Sequence, residues 1–340
     1  MKVKQAVVMV GGKGTRLLPL TENKPKPILP VADKPCIWYF LRSLARAGIE
    51  EVILACGYKP GAMEVLGDGS DLGIKIRYSY EDEPRGTGGA MKLIEDQLDD
   101  TFVAANGDVF ADIDVAEEIA VHLRSGAKVT IALTPVENPC EFGIARVDDA
   151  GRILEFREKP KPEEVFSNLI NAGVYILEKE VLSRVPENTF YDFSKDLVPQ
   201  LMAEGQRSQS YRLEGLWMDV GRPHDLLGAN LAVAQREHST DAWHGLVDSS
   251  VCGPFFLGDW SRIVGSTSES SVILRDSTVV DSRLDHALVM RGCRVDGATI
   301  ENAILGDGCV IRKGAVIRNA VLADKTIVEE RQVVDEGKKV

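Results

Sequence analysis

Val7-Val8-Met9-Val10-Gly11-Gly12-Lys13-Gly14-Thr15-Arg16-Leu17 governs how the rest of the chain is read. Its first four residues are apolar and, with Ala6, read as a buried β-strand. The strand breaks into a loop of glycines and cations, and Thr21-Glu22-Asn23-Lys24-Pro25-Lys26-Pro27 follows. Glycine lets the backbone pass close to a bulky anion, and successive N–H groups can form a nest for phosphate. Arg16 adds a fork of donors and Lys26 a point charge. The stretch therefore predicts a polyphosphate site at the carboxyl end of the first strand of an α/β sheet. A plain strand-to-loop turn is the competing reading, but such a turn needs no such cluster of glycines and cations.

Outward from this stretch, strand and helix patterns alternate. Strands are expected at 6–10, 52–55, 74–80 and 102–105. Helices are expected at 37–47, stopped by Gly48, and at 90–98 and 115–123. Strands separated by helices imply right-handed βαβ units and a mostly parallel α/β sheet. A strand at 128–133 follows, then a hairpin with arms 143–147 and 153–156, and a strand at 174–177. Helices are expected at 193–202, interrupted by Pro199, and at 226–236. From about residue 246 helical periodicity stops. Aliphatic residues and pairs recur on average about every six positions, at Val272-Ile273, Val279-Val280, Leu288-Val289, Val295, Ile300, Ile304-Leu305, Val310-Ile311, Val316-Ile317, Val321-Leu322 and Ile327-Val328. Such a hexapeptide period signals a parallel β-helix. Two domains are expected, 1–240 and 246–340.

With 340 residues the chain can bury two cores. A net charge of −12 argues against a general nucleic-acid binder, so an anionic substrate requires a local basic pocket. No apolar run of about 18 residues predicts a membrane span. The first residues lack the order of a signal peptide, which leads to an expected cytoplasmic location. Cys36, Cys56, Cys140, Cys252, Cys293 and Cys309 form no CxxC pair and are expected to be buried free thiols rather than zinc ligands. His122, His224, His238, His244 and His286 have no ligand spacing and read as surface or structural.

Further candidates fall after the strands. Glu81 precedes Gly86-Thr87-Gly88-Gly89-Ala90, a second glycine-rich loop entering a helix, suited to a flat base or a phosphate. Thr87 as a helix N-cap and Gly86 as a turn residue is the compatible structural alternative. In Asn106-Gly107-Asp108 the carboxylate is placed to hold Mg²⁺, or else caps a turn. Asp219, between apolar neighbours, needs a partner, and a metal shared with Asp108 is one. Glu158-Lys159-Pro160 and Asn171-Ala172-Gly173 offer hydrogen bonds for sugar hydroxyls and a cation for phosphate, with a charged surface turn as the alternative.

Together these motifs resemble the sugar-1-phosphate nucleotidyltransferases, or nucleoside-diphosphate-sugar pyrophosphorylases, over nearly the whole chain. The most specific part is the run from Gly11 to Thr21 with Pro25-Lys26-Pro27. Gly86 to Ala90, Gly107-Asp108, Phe142-Gly143, Glu158-Lys159-Pro160, Asn171-Ala172-Gly173 and Trp217-Met218-Asp219-Val220-Gly221 support it. The resemblance implies a Rossmann-like catalytic domain followed by a left-handed β-helix. It implies that an NTP and a sugar 1-phosphate give an NDP-sugar and pyrophosphate. The attacking phosphate is already ionised, so the demands are alignment of two anions and stabilisation of the leaving group, with no general base. Carried over by motif, Arg16 and the backbone of Gly11, Gly12, Gly14 and Thr15 hold the triphosphate with Lys26, and Glu81, Gly86 and Thr87 meet the nucleotide. Asp108 and Asp219 hold Mg²⁺, Lys159 binds the sugar phosphate, and Gly143, Glu158 and Asn171 bind the sugar. A homo-oligomer assembled through the β-helix is expected.

Pyrimidine-selecting relatives often carry Gln where Glu81 stands. A carboxylate only accepts, which suits guanine N1–H and N2–H₂. With the spellings Met9-Val10-Gly11-Gly12 and Trp217 to Gly221, this looks like the guanylyltransferase branch acting on mannose 1-phosphate. Thymidylyl- and uridylyltransferases acting on glucose 1-phosphate share nearly every motif, and Lys13 and Arg85 depart from the expected spellings. Among other classes, a non-catalytic nucleotide-sugar-binding subunit is disfavoured because Arg16, Lys26, Asp108 and Lys159 are all present. A repeat-type acyltransferase needs a catalytic histidine, and only His286 lies in the repeats. A kinase is disfavoured because the loop lacks Walker spacing.

Overall fold

A computed structural model describes residues 2–57, 59–236 and 245–337. His238, His244 and the limits 1, 240 and 340 of the expected domains lie outside the described residues. Two compact units are present, one of Met1–Gly12 with Ile37–Trp217 and one of Lys13–Cys36 with Met218–Val340.

The first unit is built on one sheet. Strands β1 (Gln5–Met9), β2 (Glu51–Cys56), β3 (Lys75–Tyr80) and β4 (Thr101–Asn106) are parallel in the order β4-β1-β2-β3. All five residues of β1 are buried, as a central parallel strand covered on both faces requires. Gln5 fixes one end of it. Its Nε2 donates to Glu51 Oε2 at 2.8 Å and to the Gln97 carbonyl at 2.9 Å, and its Oε1 accepts from Asp99 N at 2.8 Å. Beyond β4 the sheet becomes mixed. With β5 (Val129–Pro135), β6 (Gly143–Val147), β7 (Ile153–Glu158), β8 (Leu169–Glu178) and β9 (Ser208–Arg212), β8 runs antiparallel to β4, β5 and β6, and β9 runs parallel to β5. The hairpin of β6 and β7 forms as its turn residues predict.

Helices α1 (Cys36–Arg46), α2 (Gly86–Leu93) and α3 (Val115–Ser125) follow strands β1, β3 and β4 in the chain. Gly48 takes φ 84° and Ile49 N returns to the Leu44 carbonyl at 3.1 Å, so the glycine ends α1 as its sequence signal indicates. The helix expected at 90–98 instead starts at Gly86 and ends at Leu93. Its early glycines are tolerated because the Gly88 and Gly89 amides donate to the Tyr191 carbonyl at 2.9 and 3.1 Å. Pro199 divides the helix expected at 193–202 into a π turn, Phe193–Leu197, and α4 (Val198–Ala203). Strand β9, Ser-Gln-Ser-Tyr-Arg, carries too little apolar character to be read as a strand and forms because β5 offers it an edge.

Glu118 on α3 is fully buried, and neither carboxylate oxygen has a hydrogen-bond partner among the described residues. Burial alone pushes its carboxyl well above the usual range, so the folded protein keeps this proton while the unfolded chain releases it. That contribution is full below the ordinary glutamate pKa and is lost as pH rises through the folded value. Glu118→Met is therefore expected to raise the melting temperature more at pH 8 than at pH 5.5. Equal shifts at both pH values would show that the group is solvated.

In the second unit short parallel strands stack in columns sixteen or seventeen residues apart, as in Ile263 with Val279 and Ile311 with Val328. Three columns of inward side chains fill the interior. Ile263, Val279, Val295, Ile311 and Val328 form one, Leu284, Ile300 and Ile317 the second, and Leu257, Ile273, Val289, Leu305 and Leu322 the third; all are buried. The arrangement is a parallel β-helix consistent with the left-handed form that the resemblance implies. Its corners need left-handed backbone on every coil. Asp276, Gly292, Gly308 and Lys325 have φ of 61–70°, and Ser270, His286, Asn302 and Asn319 have φ of 45–48°. This explains the Gly, Asp and Asn between the aliphatic pairs. Ser261, Ser277, Cys293 and Cys309 stack at one corner: Ser277 N donates to Ser261 Oγ at 3.0 Å and Cys293 N to Ser277 Oγ at 3.2 Å. Cys36, Cys56, Cys293 and Cys309 are buried and free, whereas Cys252 is exposed and Cys140 partly so, which corrects the expectation for those two. Cys252 is paired with Glu269 across the strand register and faces out from its strand.

Candidate active site

Arg16, Lys26 and Asp219 lie in the second unit. Gly14 takes φ 60° and opens a tight turn, Thr15–Leu17, anchored by buried Leu17. Thr21 is buried and its Oγ1 donates to the Gly14 carbonyl at 2.8 Å. A Cβ at Gly14 would meet Thr21 Cγ2 and Lys26 Cβ, each at 3.2 Å, so only glycine combines this turn with that contact. Arg16 is thereby presented on an exposed turn while Lys26, 5% exposed, is held beneath it. Lys26 Nζ meets Asp219 Oδ1 at 3.2 Å. A Cβ at Gly221 would stand 3.1 Å from Asp219 Oδ2 and 3.2 Å from Arg16 Nη2. Arg16 and Asp219, distant in sequence, thus flank Gly221, and Lys26 reaches the same carboxylate from its other oxygen. The partner that Asp219 requires is, in the first instance, Lys26. Such a group can grip a polyphosphate through the guanidinium and orient a carboxylate oxygen beside it.

The remaining candidates lie in the first unit. Gly11, Gly12, Glu81 and Asp108 follow the carboxyl ends of β1, β3 and β4, and Gly86 and Thr87 open α2. Glu158 closes β7 with Lys159 next to it, Gly143 opens β6 and Asn171 lies near the start of β8. Gly11 and Gly12 leave β1, and a Cβ at Gly57 would come within 3.1 Å of Gly11 Cα. Glu81 follows β3. Burial pushes its carboxyl up, opposed by Arg85, whose backbone N–H donates to Glu81 Oε2 at 3.3 Å. Gly86 has φ 71°, and a Cβ there would lie 2.7 Å from the Tyr191 carbonyl, so this glycine admits the 189–191 segment. Thr87 is not the N-cap; its Oγ1 accepts from Phe193 N at 2.8 Å and joins the same segment to α2. Gly107 N donates to the Met9 carbonyl at 2.8 Å, and its Cβ position is filled by Val10 Cγ1 at 2.5 Å. Asp108 is therefore fixed beside the end of β1 by a glycine with no room for a side chain.

Gly143 and Glu158 are direct partners across the β6–β7 hairpin. A Cβ at Gly143 would fall 2.6 Å from Glu158 Oε2 and 2.6 Å from Phe156 Cζ. Burial raises the Glu158 carboxyl and nearby Lys159 opposes it. Lys159 is exposed, with left-handed φ 47°, and its N–H donates to the Phe142 carbonyl at 2.9 Å. Asn171 Nδ2 donates to Tyr175 Oη at 2.9 Å and to Ser194 Oγ at 3.0 Å, while its Oδ1 accepts from Gly173 N at 2.9 Å. Trp217 Nε1 donates to the Ala172 carbonyl at 2.9 Å, and its ring lies edge-on to Phe142 at 6.1 Å. Tyr175 and Ser194 carry no sequence motif of their own; only Asn171 brings them to the site. Gly143→Ala is expected to push aside both the Glu158 carboxylate and the edge of the Phe156 ring without unfolding the hairpin, because the atoms displaced are side-chain ends and not backbone. The KM for a sugar 1-phosphate should rise about tenfold or more while the KM for the NTP holds. An unchanged sugar-phosphate KM would remove Glu158 from the sugar site.

Among the described residues no group of three or more His, Cys, Asp or Glu side chains is arranged around a common metal position, and no helix is long and apolar enough to cross a membrane. A family model described as nucleotidyl transferase matches residues 5–236, and one described as GlmU-like C-terminal hexapeptide matches residues 256–339. A mannose-1-phosphate guanylyltransferase of Mycobacterium tuberculosis is 35% identical over 317 residues, 91% of this chain and 83% of that protein. A UTP–glucose-1-phosphate uridylyltransferase of Synechocystis is 30% identical over 336 residues, 89% of this chain and 84% of that protein. The structure of a proposed glucose-1-phosphate thymidylyltransferase from Bacillus anthracis superposes with a TM-score of 0.63 at 25% identity, covering 69% of this chain and 96% of that one.

Proposed function

We propose, for a chain that belongs to the nucleotidyl transferase family, that it joins GTP and mannose 1-phosphate to give GDP-mannose and pyrophosphate. The placement of Arg16 and Asp219 about Gly221, with Lys26 on the same carboxylate, carries this reading, because it supplies a polyphosphate grip in the loop after β1. The sugar-phosphate oxygen attacks the α-phosphorus in line, and the P–O bond to pyrophosphate breaks. Arg16 meets the charge gathering on the leaving pyrophosphate, and Lys26 adds to it. Lys159 holds the attacking phosphate, while Glu158, Asn171 and the open backbone at Gly143 orient the sugar. Gly11, Gly12, Gly14 and Thr15 line the triphosphate, and Glu81, Gly86 and Thr87 bound the base.

Family members of this kind call for a divalent cation. Asp108 and Asp219 fit Mg²⁺ by donor chemistry: both offer hard carboxylate oxygens, and Lys26 orients that of Asp219. Bound there, Mg²⁺ would offset phosphate charge. The catalytic domain is assigned to 1–240 and the β-helix domain to 246–340. We assign a cytoplasmic location and a homo-oligomer assembled through the β-helix.

The guanine preference rests on Glu81 as an acceptor and on the guanylyltransferase relatives. A pyrophosphate-release panel of GTP, dTTP, UTP, CTP and ATP against mannose, glucose and N-acetylglucosamine 1-phosphates tests it, with GTP and mannose 1-phosphate expected to turn over fastest. No turnover with any pair in Mg²⁺ would favour a non-catalytic binding subunit. The uridylyltransferase relative makes UTP with glucose 1-phosphate the second reading. Glu81→Gln should lower kcat/KM for GTP by about tenfold or more and narrow its margin over UTP and dTTP. An unaltered ranking of nucleotides would take base choice away from residue 81.

A further inference from the structure

One corner of the β-helix repeats a backbone-to-carboxylate contact along its coils. Arg291 N donates to Asp307 Oδ1 at 3.1 Å, and Asp307 N donates to Asp324 Oδ1 at 2.9 Å. In each case the acceptor is the residue one coil further on. One coil earlier the pattern breaks, because the residue following Arg275 in this column is Arg291, which has no acceptor. Asp33, from the glycine–lysine loop segment, takes the vacant role. Its two carboxylate oxygens accept from Arg275 N at 3.0 and 3.1 Å, and its carbonyl accepts from Arg291 Nη2 at 3.0 Å. Asp33 is 8% exposed. The column has a second hold on the same loop. Lys24 Nζ pairs with Asp307 and, at 2.9 Å, with Asp324. Burial disfavours the Lys24 charge, but these two carboxylates prevail and raise its pKa above the ordinary lysine value.

We propose that the corner column Arg275–Arg291–Asp307–Asp324 positions the phosphate loop, with Asp33 and Lys24 as its two positioning residues. This rests on the reading of Arg16 and Lys26 as triphosphate ligands. Lys24 stands two residues before Lys26 and Asp33 seven after it, so both flanks of the buried lysine are tied to rigid coils. Rigid β-helix strands thereby limit how far Lys26, and through Gly14 and Thr21 the Arg16 turn, can drift. Misplacement of a charge-stabilising group by about 1 Å can cost up to about a hundredfold in rate.

Arg291→Asp separates positioning from folding. It gives the coil its own acceptor for Arg275 N and sets a like charge against Asp33, so the column stays complete while the loop is released. The companion variants are Lys24→Met, with Lys24→Arg as the conservative replacement, and Asp33→Asn. The full-length protein is followed by hydrogen–deuterium exchange and by steady-state kinetics with GTP and mannose 1-phosphate. Expected are faster exchange in 13–36 with unchanged protection in 262–328, and kcat/KM for GTP lower by about tenfold to a hundredfold. The KM for mannose 1-phosphate should stay within about twofold, and Lys24→Arg should restore most of the loss. Unchanged loop exchange in Arg291→Asp and Lys24→Met, or a freed loop with unchanged GTP kinetics, would overturn the proposal. Absence of turnover by the wild-type protein would overturn the functional reading beneath it, and the exchange comparison would still decide the tether.

Discussion

Arg16→Ala is expected to lower kcat by about two to three orders of magnitude, with a much smaller change in the KM for the sugar 1-phosphate. In nucleotidyl transfer the nucleophile needs no activation, so the barrier is set by charge and alignment. A guanidinium aimed at the leaving group is worth most where that charge develops. Arg16 sits on a turn whose shape comes from the left-handed Gly14, the buried Leu17 and the Thr21 hydrogen bond, none of which depends on the guanidinium. The variant should therefore fold normally, and circular dichroism with a thermal melt checks this beside the kinetics. Arg16→Lys should recover only part of the rate, because a point charge lacks the planar fork. Near-normal kcat in Arg16→Ala would place the leaving-group contact elsewhere.

Asp219→Asn is expected to be comparably damaging, through two routes that can be separated. The carboxylate orients buried Lys26 across 3.2 Å, and it is the proposed cation ligand of the second unit. If the first route dominates, Lys26→Met with Asp219→Asn should be no worse than Lys26→Met alone, since the two act as a unit. If the second dominates, the Mg²⁺ concentration for half-maximal rate should rise in Asp219→Asn but not in Lys26→Met. Rate constants within about twofold of wild type for Asp219→Asn would dismiss both routes.

Several elements were legible because their signal is local. The all-buried strand β1, the capping Gly48, the β6–β7 hairpin and the aliphatic columns of the β-helix follow from periodicity and turn chemistry over a few residues. Periodicity could not give the antiparallel placement of β8 between β4 and β5 or the polar edge strand β9. Each is stabilised by a neighbour far away in sequence. The early start of α2 similarly depends on the Tyr191 carbonyl, about a hundred residues later.

The site divides the same way. The chain by itself determined which chemical groups are available: a glycine–cation loop, acidic residues after strands, and a Glu-Lys and an Asn at strand ends. Residue types and their spacing are covalent facts, and they suffice to suggest a phosphate-handling enzyme. Only the tertiary structure decided the partners. It gave Asp219 to Lys26, set Glu158 against the bare backbone of Gly143, and added Tyr175 and Ser194 to Asn171. It also turned Gly86 toward the 189–191 segment and used Asp33 to fill a gap in a β-helix column. These pairings arise because a buried charge or an unfilled donor must be satisfied by whatever the fold brings within about 3 Å, irrespective of separation along the chain.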